Sequence, residues 1–490
     1  FVIIRTSLPR GWLPPTPPYY LRSLRCKGLF FNYNDMSMNL FDTALIKKYD
    51  QSGPRYTSYP TANNFSQFSI EDYQKQAALS NERKNPISLY CHIPFCDTVC
   101  FYCGCNKVVT KDKGKAEPYL QRLFKEIDRQ AKLFDDTRVV EQMHFGGGTP
   151  TFLSNDQILA LSEKLQSAFN FAQEGEYSIE IDPRGVDENT IKALAKARFN
   201  RISLGVQDFN SQVQKAVNRI QSFEQTKSVI EFARANGFES ISIDLIYGLP
   251  KQSVQTFETT LNQVAQLRPD RISLFNYAHL PELFKPQRRI NVDELPSADE
   301  KLAIFKYSMD FLLSEGYVYI GMDHFALPQD PLAIAQNEGQ LYRNFQGYST
   351  HAQCDIVGLG LSAIGQVGDS FSQNEKNLEA YYQRIDAGEL PIVKGQIINE
   401  DDKIRRAVIM DLICHFELDF SKVEKHFGIV FTDYFADALP ALVEMDSDGL
   451  LELSDNSIRV MDKGKLLIRN VCMVFDAYLA NSKTQFSKTI

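Results

Sequence analysis

No apolar run in this 490-residue sequence approaches the roughly 20 residues that a bilayer-crossing helix needs, so no transmembrane helix is expected. Excess positive charge is missing as well. The 53 Lys and Arg against 61 Asp and Glu leave a formal charge of −8, which speaks against a general binder of nucleic acid or anionic membrane, though not against a local basic cleft. There is one tryptophan, Trp12, and no internal repeat. The nine cysteines are too few and too unevenly placed for a secreted disulfide scaffold, and a reducing cytoplasmic setting is expected. The length points to two or three domains.

What is present is concentrated. YCHIPFCDTVCFYCGC, residues 90–105, holds five of the nine cysteines; Cys26, Cys354, Cys414 and Cys472 are scattered. Cys96, Cys100 and Cys103 form C-x3-C-x2-C, followed by Cys105. Three thiolates on one tight loop can each take one iron of a cubane [4Fe–4S] cluster and leave the fourth iron open. A structural zinc knuckle is the competing reading, but zinc wants four ligands, usually as two short Cys pairs separated by a longer loop.

Around this loop the chain alternates strand and helix. β-rich runs stand at 87–93, 139–145, 177–182, 200–206, 239–245 and 270–276, with amphipathic stretches such as 116–134, 155–169, 222–236 and 253–267 between them. That order implies parallel pairing with right-handed crossovers, in an open sheet or a partial barrel. Polar groups cluster just after the strand ends: the cysteine loop, GGGTP at 146–150, Glu180 with DPR, Gln207, Asp244 and NYAH at 276–279. Carboxyl ends of parallel strands form the active face in either architecture.

The expected organisation has five parts. Residues 1–35, Pro-rich and basic, read as a non-native or disordered extension; 36–80 form an N-terminal arm; 81–315 form the core barrel. Residues 316–395 form a site-closing connection, with GMDHFALP (321–328) and 344–365 read as loops. Residues 396–490 form a mainly helical, winged-helix-like domain, with helices near 401–413, 419–427, 431–447 and 462–480 and a β-ribbon around 449–460. Over 401–490 there are 11 Lys and Arg against 15 Asp and Glu, so packing or closure is expected there and not DNA binding.

C-x3-C-x2-C followed one βα unit later by GGGTP resembles the radical S-adenosylmethionine (SAM) superfamily, whose core is a partial (β/α)6 barrel. The likeness narrows along the chain. SGPRYTSYPTA (52–62), YCHIPFC running into CGCNK, IEIDPRG (179–185), GVQDFN (205–210), IDLIYGLP (243–250), FNYAHLP (275–281), GMDHFA (321–326) and NFQGYST (344–350) resemble the oxygen-independent coproporphyrinogen III oxidases. The resemblance runs from about residue 38 to the C-terminus.

It implies a cytoplasmic enzyme of porphyrin and haem biosynthesis that converts the ring A and B propionates of coproporphyrinogen III to vinyl groups without oxygen, giving protoporphyrinogen IX. It also implies a [4Fe–4S] cluster, two SAM molecules, and a low-potential electron donor such as flavodoxin or ferredoxin. A monomer without nucleic-acid or membrane partners is expected. Carried over residue by residue, Cys96, Cys100 and Cys103 are the cluster ligands. Tyr90, Gly147, Gly148, Thr149, Glu180 and Ile364 lie around the cluster-bound SAM. Gln207, Arg219, Asp244 and Ala278 lie around the second. Tyr90, His92 and Cys105 are the candidate catalytic residues. Charge matching to a tetra-carboxylate nominates Arg55, Arg288, Arg289 and Arg343, with Gln346 beside them, for the substrate.

Two other readings compete. A haem chaperone of the same superfamily binds haem without decarboxylating it, but that branch lacks the extra cysteine of CGC and the GPRYTSYPTA arm, and carries a Trp-containing motif. An RNA methyltransferase would want a basic surface and a methyl-accepting cysteine, for which Cys354 or Cys472 is the nominee.

Overall fold

The computed structural model describes residues 40–479, 486, 488 and 489. The expected 1–35 extension, with Trp12, lies outside them. Six strands form the centre: β1 (Ile87–Ile93), β2 (Val139–Gly147), β3 (Asn170–Ile181), β4 (Arg201–Gln207), β5 (Ser240–Tyr247) and β6 (Arg271–Asn276), each paired in parallel with the next. The crossovers are α1 (Ala116–Ala131), α2 (Asn155–Ala168), α3 (Glu188–Lys196), α4 (Phe223–Ala235) and α5 (Val254–Leu267). Capping boxes start three of them, at Ser154/Gln157, Ser222/Gln225 and Ser253/Thr256.

Side-chain alternation explains what this sheet is for. Leu89, Cys91, Ile93, Met143, Phe145, Ile179, Ile202, Leu204, Ile243 and Leu274 are buried on one face. The alternate positions carry Gln142, His144, Ser178, Glu180, Ser203, Asp244 and Ser273, which line a cavity on the other. Period-two alternation therefore gives the strands an apolar side for the helices and a polar concave side. A packed barrel interior would be aliphatic. This one is built to hold polar ligands.

Residues 316–397 differ from the loops read in the sequence. They supply β7 (Val318–Gly321), β8 (His324–Ala326), β9 (Asp355–Leu359), β10 (Ile364–Val367), β11 (Ser370–Asn374) and β12 (Ile392–Ile397). β9 pairs in parallel with β1, β10 to β12 continue antiparallel beyond it, and β8 and β7 extend the opposite edge from β6. The glycines that looked like loop punctuation are close-approach positions. A Cβ on Gly358 would stand 2.8 Å from the Ile364 carbonyl, and one on Gly365 2.8 Å from that of Ile356.

α6 (Ala298–Ser314) precedes this extension, and after β12 the chain enters α7 (Glu400–His415), which opens the C-terminal unit. The expected helix at 431–447 is split into Phe431–Tyr434 and Leu439–Ser447, because Pro440 has no amide hydrogen to continue the ladder. The β-ribbon gains a third strand, Glu417–Asp419. The last expected helix is two short pieces, Asp462–Lys465 and Ile468–Met473. No helix among the described residues is long and apolar enough to cross a membrane.

Candidate active site

The cysteine loop leaves the carboxyl end of β1 and is pinned from both sides. Val108 N–H donates to Pro94 O at 2.7 Å and Thr110 N–H to Cys96 O at 2.9 Å. Phe101 N–H reaches Val217 O at 3.0 Å, and Asn218 Nδ2 donates to Val99 O at 2.8 Å. Its thiols face a cavity of about 690 Å³, lined by Cys96, Cys100, Cys103 and Cys105 together with Gly147, Gly148, Thr149, Glu180, Gln207, Arg219 and Asp244. The structure thus gathers most of the expected site residues at the strand ends.

The glycine run has a packing cause. Gly148 N–H donates to Ile93 O and Thr149 N–H to Phe95 O, both at 2.8 Å, drawing the run against the cysteine loop. A Cβ on Gly148 would stand 2.7 Å from Phe95 O; one on Gly147, which has φ +111°, would stand 2.5 Å from the His92 ring. Thr149 Oγ1 donates to Cys96 Sγ at 3.5 Å.

Charge around the thiols suits thiolates. Asp182 accepts from Arg184 Nη2 at 2.6 Å and Arg219 Nη1 at 3.1 Å, and both guanidiniums also reach Cys100 Sγ, at 3.9 and 3.6 Å. Burial opposes the charge on Arg219, yet Tyr102, Asp182 and Cys100 hold its pKa above the ordinary value. A hydrogen bond from the Cys105 thiol, followed by Lys107, holds Cys103 below the ordinary thiol value against the opposing effect of burial, whereas burial pushes Cys96 up to about 11. Glu180 Oε2 accepts from Gly147 N–H at 3.1 Å; burial pushes its carboxyl up, but His144 and Gly147 together hold it below the usual range. Asp244, by contrast, is pushed up to about 6 by burial and by the charge of Glu180.

These residues fit the expected groups. Three cysteines converge on one cavity beside two guanidiniums, the chemistry of an anionic cluster loop. Gln207 Oε1 and Arg219 Nε are buried without hydrogen-bond partners among the described residues, one acceptor and one donor for a zwitterionic ligand.

Other expected residues do not line this cavity. Tyr90 and His92 stand deeper on β1, Tyr90 Oη 3.1 Å from His92 Nδ1 and stacked on His144. Burial drives the Tyr90 phenol up and the His92 imidazole down. Ile364, on β10, packs against the Phe65, Phe371 and Ile398 cluster. Ala278 lines a second cavity of about 260 Å³ with Arg55, Asn276, Lys301, Asp323 and Arg469. Gln287 Nε2 donates to both Tyr102 O, at 3.0 Å, and Ala278 O, at 3.2 Å, so the cysteine loop and the second cavity share a wall. Gln346 lines the polar barrel cavity. Arg288 and Arg289 are on the surface, Arg288 held by Pro281 O and Arg289 over the Phe101 ring.

A radical SAM superfamily model matches residues 90–264, and a HemN C-terminal domain model matches 398–467. The oxygen-independent coproporphyrinogen III oxidase of Pseudomonas aeruginosa is 52% identical over 455 residues, covering 92% of this chain and 99% of the relative. That of Escherichia coli is 49% identical over 455 residues, covering 92% and 98%. The chain belongs to the oxygen-independent coproporphyrinogen III oxidase family. The solved E. coli structure, described as coproporphyrinogen III oxidase and a radical SAM enzyme, superposes with a TM-score of 0.86 at 48% identity, covering 90% of this chain and 99% of that one. A radical SAM partial barrel carrying a helical C-terminal unit is therefore its fold, and a [4Fe–4S] cluster with SAM its cofactors.

Against this family background, sequence reasoning missed several side chains of the two cavities. Asp182 and Arg184 were visible in the DPR that follows Glu180, a charged pair at a strand end. Lys301 and Arg469 gave no signal, because they come from α6 and the C-terminal segment Ile468–Met473 and meet the site only through tertiary packing.

Proposed function

We propose that this chain oxidatively decarboxylates the ring A and B propionates of coproporphyrinogen III to vinyl groups, with the cysteine cavity as the reacting end and the second cavity as the carboxylate-holding end. The observation that carries this reading is their shared wall, where Gln287 joins Tyr102 of the cysteine loop to Ala278 of the cationic cavity. Cys96, Cys100 and Cys103 would hold three irons, with Glu180, Gly147, Gly148 and Thr149 beside the open position. Gln207, Arg219 and Asp244 would orient a second SAM. When bound, the cluster and SAM supply hydrogen-atom abstraction from an unactivated C–H bond.

The chain's own contribution is position, charge and exclusion of water. Arg55 and Lys301 face the second cavity from the arm and from α6. Burial, then the nearby charges of Arg469 and Arg343, lowers the pKa of Arg55 to about 10, while Asp323 on the same cavity pairs with its guanidinium. Arg343 is buried with Nε and Nη1 lacking hydrogen-bond partners among the described residues. A carboxylate would satisfy such donors in pairs. Arg469 donates to Pro54 O at 2.9 Å and to Gly53 O, fixing the arm that presents Arg55. Cys105 and His92 remain the side chains proposed to touch or position the reacting groups.

A low-potential electron donor would dock beside the cysteine loop. The Phe284 ring lies 3.0 Å from where a Gly104 Cβ would be, next to exposed Leu283 and the basic Lys285, Arg288 and Arg289, a surface suited to an acidic redox partner.

An anaerobic assay with reconstituted cluster, SAM, reductant and coproporphyrinogen III tests the reading. Mass spectrometry is expected to show two successive losses of CO2 with two hydrogens. Tight binding of haem with no decarboxylated product would move the chain to the chaperone reading instead.

A further inference from the structure

At the other end of the sheet, away from the cysteine loop, three side chains of different chemistry converge. Glu141 lies on β2 six residues before Gly147, about 20 Å along the strand from the glycine run. It occupies a register shift: Ile87 pairs with Val140 but Ser88 pairs with Gln142, so Glu141 is the extra residue. Bulges re-aim side chains, and this one presents Glu141 to the turn that precedes β9. That turn carries His351 and Cys354 as H-x2-C and is closed by Cys354 N–H donating to His351 O at 3.3 Å.

The donor atoms of Glu141, His351 and Cys354 all lie within 4.8 Å of one another. Glu141 Oε2 is 3.6 Å from His351 Nδ1 and 3.9 Å from Cys354 Sγ. The first distance is too long for a hydrogen bond and the second is at the outer edge for a thiol. Both are close to the edges of a coordination tetrahedron, about 3.3–3.7 Å for metal bonds of about 2.0–2.3 Å. Gln353 Nε2 donates to the same Oε2 at 3.2 Å, an outer contact of the kind that orients a ligating carboxylate. Cys354 is buried, while His351 lines a water-accessible cavity of about 630 Å³.

We propose that Glu141, His351 and Cys354 bind one divalent cation of the zinc class, with the fourth position open to water in that cavity. One sulfur, one nitrogen and one oxygen select a borderline-soft ion over magnesium or calcium. Binding releases the Cys354 thiol proton to solvent and involves no redox change. Its consequence is mechanical, because the ion ties β2 to the start of β9 across β1 and so clips the antiparallel extension to the barrel.

The test is zinc titration of the cluster-loaded chain under anaerobic conditions against a chromophoric chelator, followed by zinc-edge X-ray absorption, which iron does not mask. One zinc per chain is expected, with a single sulfur at about 2.3 Å and nitrogen or oxygen neighbours at about 2.0–2.2 Å. Zinc should raise the unfolding temperature by about 3 °C at saturation. H351A should weaken binding by about tenfold or more, and C354S should remove the sulfur neighbour. H351A changes a partly exposed side chain, so it decides the matter even if C354S folds poorly. Equal zinc affinity in wild type and H351A, or a shell of several sulfurs from the cysteine loop, would overturn the proposal.

Discussion

At Gly148 a single added carbon would meet the Phe95 carbonyl at 2.7 Å and the Pro94 carbonyl at 2.8 Å, both backbone atoms that cannot swing aside. The strand end and the cysteine loop would have to part. G148A is therefore expected to lose most of its iron after anaerobic reconstitution, measured as iron per chain. G185A, where an added Cβ meets nothing within 4 Å, should reconstitute like wild type. Arg343 gives a second test. R343M keeps the buried volume but removes the donors, so KM for coproporphyrinogen should rise about tenfold with kcat little changed. Glu126 gives a third. Burial pushes its carboxyl up to about 7, although Tyr381, Gly360 N–H and Asn374 all donate to it. The unfolded chain then ionises first, so stability falls as pH rises from about 4.5 through 7, by on the order of 3 kcal/mol. E126Q should flatten that part of a pH–stability profile.

At the scale of elements, β9 is the join between barrel and extension, and a buried ion pair holds its start. Arg138 Nη2 lies 2.5 Å from Asp355, with the two side chains 1% and 4% exposed; Asp355 also accepts from Ser80 Oγ and from Gly368 N–H at 3.0 Å. D355A leaves Arg138 charged and unpaired, and should cost about 3–5 kcal/mol in chemical denaturation. R138M/D355L, which removes both charges, should recover much of that loss. This region is also where sequence reasoning stopped. The six central strands were legible because each is a β-rich run with an adjoining amphipathic helix. β7 to β12 are four or five residues long for the most part, carry glycines that read as turns, and pair with distant partners such as β9 with β1. Short strands defined by their neighbours leave no local period to read.

At the scale of the whole molecule, a chain of net charge −8 still gathers cations at both cavities: Arg184 and Arg219 at the thiols, Arg55, Lys301 and Arg469 lining the second cavity, with Arg343 buried close enough to Arg55 to lower its pKa. Much of the cysteine end of the site was legible, since its residues sit in short motifs at strand ends. Less of the cationic end was. Arg55 and Arg343 could be nominated from charge alone, but so were Arg288 and Arg289, which the fold leaves on the surface, and nothing local distinguished the pairs. In the function proposed above, the two ends work on one substrate, with a propionate held so that its β-carbon meets the cysteine cavity. The most direct measurement uses coproporphyrinogen III deuterated at the propionate β-carbons in an anaerobic single turnover. Deuterium is expected in the 5′-deoxyadenosine released, with a matching yield of CO2. Unlabelled 5′-deoxyadenosine, or its release without CO2, would contradict it.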